Sequence, residues 1–61
     1  MWTTIYLATS REQANNIENL LRSDGFLVKL EEDRAESLYE ILVLKNEAED
    51  AQDALLERGL L

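Results

Sequence analysis

The chain has 61 residues, thirteen acids against six bases, a net charge of −7, and neither cysteine nor histidine. These values describe one small domain, residues 1–61, of thin stability, because a chain this short buries only about 60% of its unfolded surface. They exclude disulfides, thiol redox chemistry, the usual zinc ligands and imidazole acid–base catalysis.

Charge and hydropathy narrow the partners further. The bases Arg11, Arg22, Lys29, Arg34, Lys45 and Arg58 are scattered and form no run. Phosphate contacts need clustered Lys and Arg, so nucleic acid is not an expected partner. The longest purely apolar run is Ile41 to Leu44, against the roughly 18 to 20 residues that cross a bilayer, so no membrane contact is expected. The opening "MWTTIY" has neither a basic segment nor an apolar core of the signal-peptide kind. The expected location is the cytoplasm.

Taken in chain order, Trp2 to Ala8 alternate and are rich in aromatic and β-branched residues, which predicts a first strand. By that alternation Ile5 and Leu7 point one way, Trp2, Thr4 and Tyr6 the other. Next comes "TSREQ", where Thr9 with Glu12, or Ser10 with Gln13, fits a capping box at a helix start. Ala14, Ile17, Leu20 and Leu21 then recur at three-to-four spacing and mark one apolar stripe. Gly25 and Phe26 suit the two positions after a helix in a Schellman ending, where Phe26 meets Leu21.

Phe26 to Leu30 alternate again and predict a second strand, with the polar segment Glu31 to Ser37 as the turn. Leu38 to Lys45 carry apolar residues on both parities, the pattern of a strand buried on both faces and central in its sheet. Asn46, with Glu49 three residues on, predicts the cap of a second helix running through Arg58. That helix has a thin stripe of Ala48, Ala51 and Leu55 and a second Schellman ending at Gly59 and Leu60. Both glycines of the chain are thus expected at helix ends, and none remains for a phosphate-cradling loop.

The order is βαββα. A right-handed crossover makes the first two strands parallel, and a hairpin sets the third antiparallel to the second. With the third strand in the middle, the class is α+β: a three-stranded sheet of order 1-3-2 with both helices on one face. This is a ferredoxin-like split βαβ unit lacking its last strand.

"IYLATSREQANNIENLLRSDGFLVKL" followed by "YEILVLKNEAEDAQDALL" resembles a short bacterial family of unknown function, catalogued as prokaryotic signal-transducing proteins. The shared pattern is a strand ending in Tyr-x-Ala (Tyr6 to Ala8), "LL-x-x-x-G" (Leu20 to Gly25), a "YEILV" strand (Tyr39 to Val43) and an acidic helix (Glu47 to Leu56). The resemblance implies a small βαββα signalling domain and carries over no catalytic residue. Similar short sequences sometimes bear a glutamate decarboxylase label, which the residues contradict. Pyridoxal phosphate needs a Schiff-base lysine with phosphate and pyridinium partners. Only Lys29 and Lys45 are available, in a chain too small to enclose cofactor and substrate. No cofactor is expected.

Three places come into question as sites. Thr9, Ser10 and Arg11 stand at a helix start, where anions are attracted, but Glu12 puts a carboxylate at the same end. A plain cap is the simpler reading, with a metabolite-sensing site there as the alternative. The acids Glu31, Glu32, Asp33 and Glu36 lack the spacing and glycine of a calcium loop and read as a solvated hairpin tip. No residue is assigned to metal binding or catalysis, and the chain reads as a non-enzyme.

The third place is the sheet face turned away from the helices. By alternation it should carry Trp2, Tyr6, Leu27, Leu42 and Leu44, large apolar side chains with no further layer to cover them. That predicts an interaction module, homodimeric or bound to another protein; the alternative is that Lys29, Glu31 and Glu40 shield a tolerable patch.

Overall fold

The computed structural model describes residues 1–61. Strand β1 (Trp2–Ala8) leads through a two-residue hinge into helix α1 (Arg11–Ser23). Strands β2 (Val28–Asp33) and β3 (Leu38–Leu44) follow as a hairpin, and a 3₁₀ turn over Lys45–Glu47 opens helix α2 (Ala48–Glu57). The sheet order is β1-β3-β2, with both outer strands antiparallel to β3 and therefore parallel to each other. The expected 1-3-2 sheet with two helices is what the chain adopts.

Local chemistry explains the ends of α1. Of the two candidate pairs the chain uses Ser10 with Gln13: Gln13 N–H donates to Ser10 Oγ at 3.1 Å, and the Gln13 side chain reaches one residue past the cap, where Oε1 accepts from Thr9 N–H at 3.0 Å. At the other end Gly25 takes φ +93°, Gly25 N–H donates to Arg22 O and Phe26 N–H to Leu21 O. Arg22 ties this end to β2 by donating to Val28 O at 3.0 Å. Helix α2 stops the same way, with Gly59 at φ +72° and Leu60 N–H on Leu55 O. Arg58 joins the two helix ends through a 3.0 Å bond to Asp24 Oδ1.

Strand β2 and the start of α2 differ from the sequence expectation, and β3 ends one residue earlier, at Leu44. Strand β2 begins at Val28, not Phe26, and runs on through Glu31, Glu32 and Asp33, which pair with Glu40, Tyr39 and Leu38. Phe26 and Leu27 precede it because Phe26 N–H is spent on the helix ending. The acids extend the strand since its ladder is satisfied by backbone groups, whatever the side chains. The turn shrinks to residues 34–37, closed by Glu36 N–H on Asp33 Oδ1 and by Ser37 at φ 56°. Asn46 does not cap α2. It lies inside the 3₁₀ turn, and Glu47 precedes the helix without a side-chain cap bond.

The core lies between the sheet and the helices. Leu21, Ile41, Val43 and Leu55 are its largest fully buried side chains, joined by Ala14 and Ile17 of α1 and Ala51 of α2. Ile41, Leu42 and Val43 are buried in succession, as a central strand requires. Both helices contribute to this one cluster, so they share one face of the sheet. The other face has no second layer.

Candidate functional site

The uncovered face is set by the register of the three strands, and one irregularity changes its membership. Pairing steps from Thr4↔Leu42 to Tyr6↔Ile41, leaving Ile5 without a partner in a β-bulge. Ile5 stays in the core, and every later residue of β1 changes face. Tyr6, expected on the open face, packs against the core instead, where its hydroxyl accepts from Gln13 Nε2 at 3.2 Å. Ala8 is fully buried beside it. Leu7, expected inside, pairs with Glu40 on the open face and is 54% exposed. Leu27 is exposed too, but it sits one residue ahead of β2 and outside the ladder.

The face therefore carries Trp2, Thr4 and Leu7 from β1, Lys29, Glu31 and Asp33 from β2, and Leu38, Glu40, Leu42 and Leu44 from β3. Its apolar part is smaller than alternation implies. Leu42, in the middle row, is only 9% exposed although no helix covers it. Its cross-strand neighbours are Thr4 and Lys29, and the Lys29 ammonium reaches diagonally to within 5.7 Å of the Trp2 ring centroid. The aliphatic stem of Lys29 and the indole together roof Leu42, while the charge stays in water. Trp2 itself remains 39% exposed and Leu44 partly so.

The polar part is acidic and poorly balanced. Glu31 and Glu40 stand directly opposite each other across β2 and β3. Thr4 Oγ donates to Glu40 Oε1 at 2.7 Å, which holds that carboxylate in place, but Glu40 joins no ion pair. Glu31 has one cation near it, Lys29 Nζ at 3.8 Å, and that is also the face's one base. Like charges placed opposite each other on a sheet cost stability. Nothing in the chain relieves this pair fully.

The alternative site at the helix start is already engaged by the protein. Ser10 accepts from Gln13, Thr9 N–H is taken by the Gln13 side chain, and Arg11 leans toward Glu32 at 3.8 Å. The hinge serves as a cap.

Three shallow depressions open to solvent mark the surface. One lies between Met1, Leu44, Lys45 and Asn46, one along Thr4 to Leu7 with Leu61, and one over Glu31 to Arg34 with Glu40. None joins a concave apolar wall to converging polar groups, the form small-molecule sites take. No group of three or more Asp or Glu is placed to hold a metal ion, and no helix is long and apolar enough to cross a membrane.

Comparison with family models, curated proteins and solved structures finds no match. The family resemblance rests on the sequence motifs alone, and the functional reading on the geometry just described.

Proposed function

We propose that the chain is a non-enzymatic interaction module that docks a protein on its open sheet face, a role in keeping with the signalling family its sequence resembles. The observation that supports this reading is the uncovered face itself. Trp2, Leu7 and Leu44 lie exposed or half-exposed on a rigid three-stranded platform with no second layer over them. A domain of 61 residues also has more to gain from added burial than a larger one. The platform is stiff because β3 is paired on both sides, and a pre-formed surface spares the ordering cost of binding.

Affinity capture from an extract of the source cells, with wild type beside a Trp2→Ser/Leu7→Ser variant, tests the reading. Both substitutions lie on the open face, outside the cluster packed beneath the helices. Proteins retained by wild type and lost with the variant support it. Identical retention by the two would refute it.

A further inference from the structure

Resting on that reading, we infer that the occupant of the open face is one amphipathic helix of another protein, carrying Lys or Arg beside its apolar stripe. Size is the first reason. Strands about 4.8 Å apart make this face about 10 Å wide, and seven residues of β3 make it about 23 Å long. One α-helix of about 15 residues has that width and that length. Stable interfaces bury about 800 Å² per partner, and a footprint of these dimensions supplies only a few hundred, so the complex is a transient one and charge decides against a second copy.

Charge is the second reason. The face offers an apolar end, Trp2 and Leu44, followed along the strands by the opposed carboxylates Glu31 and Glu40. Lys29 is already shared between the Trp2 ring and Glu31. A second copy would bring the same acids and another −7 of net charge against them. A helix that places leucines on Trp2 and Leu44 and an ammonium or guanidinium between Glu31 and Glu40 relieves the one repulsive pair the sheet retains.

The test uses isotope-labelled full-length chain and a 15-residue helical peptide with leucines on one face and lysines on the other. A partner peptide has every lysine replaced by glutamine. Amide shifts and the fluorescence of Trp2, the chain's one tryptophan, report where and how tightly each binds. The lysine peptide should move Trp2, Leu7, Leu42 and Leu44. Its affinity should fall roughly five- to tenfold in a Glu31→Gln/Glu40→Gln variant and drop with added salt. The acidic face of α2, with Glu49, Asp50 and Asp53, is the internal control. Shifts spread over α2 and indifferent to the Glu31/Glu40 change would overturn the inference as non-specific attraction. Equal binding of the glutamine peptide to the face would overturn it too, while leaving the docking reading intact. If neither peptide moves the face, the helical occupant is overturned, and the capture experiment alone decides the docking reading.

Discussion

Reversing one charge of the Glu31–Glu40 pair should stabilise the protein, since the two carboxylates stand directly opposite each other across β2 and β3. In Glu31→Lys the introduced ammonium faces the native Glu40 across the two strands. A repulsive cross-strand pair, costing about 0.2–1 kcal/mol, becomes an attractive one of similar size. Against this, the 3.8 Å contact of Glu31 with Lys29 is lost, and two lysines then share the face. Both side chains of that contact are about half exposed, so screening leaves it a few tenths of a kcal/mol at most. The net expectation is a gain of about 0.5–1 kcal/mol, or about 2–8 °C in Tm for a domain of this size. Circular dichroism melts at low salt and at about 0.5 M salt measure it, and the gain should shrink in salt. Glu36→Lys, in the turn and facing no opposed residue, changes the net charge equally and is the control. Equal gains at positions 31 and 36 would show that only the overall charge matters. A loss at position 31 would refute the reasoning outright.

Three further outcomes are expected. Lys29→Ala should unroof Leu42 and shift Trp2 emission to the red, with a loss of about 0.5–1 kcal/mol; unchanged emission would show that Lys29 does not cover the ring. Ser10→Ala should lower stability by about 1 kcal/mol in denaturant titrations without altering the open face, because only the cap bond from Gln13 is removed. Gly25→Ala should cost about 1–2 kcal/mol purely through its left-handed backbone, as a Cβ there meets nothing within 4 Å; Gly25→Asn should cost less.

The features legible in the sequence were those written in local chemistry. The Ser10–Gln13 box, both Schellman endings and the two-sided β3 each follow from a few neighbouring residues, and together they lead to the 1-3-2 order. What alternation alone missed depends on non-local pairing. The bulge at Ile5 leaves no mark in "TTIYLA", because Ile5 and Tyr6 are equally good strand residues on either face. Its sole trace is Ala8, a small residue that suits a tight inward position at the strand end. The extension of β2 through three acids was hidden for a related reason. A run of carboxylates reads as turn until the ladder to β3 is known, and that ladder is also what sets Glu31 opposite Glu40. The 3₁₀ entry to α2 likewise displaced Asn46 from the capping position its side chain suits. So the platform was readable, while the identity of its outward residues, Leu7 in place of Tyr6, was not.

Sedimentation equilibrium over a wide concentration range tests most directly whether the open face is free for another protein. A single species of 7.0 kDa at every concentration is the predicted result, with Trp2 and Leu7 left available. A dimer that Leu7→Glu dissociates would contradict the account, because the face would then be occupied by the chain's own copy.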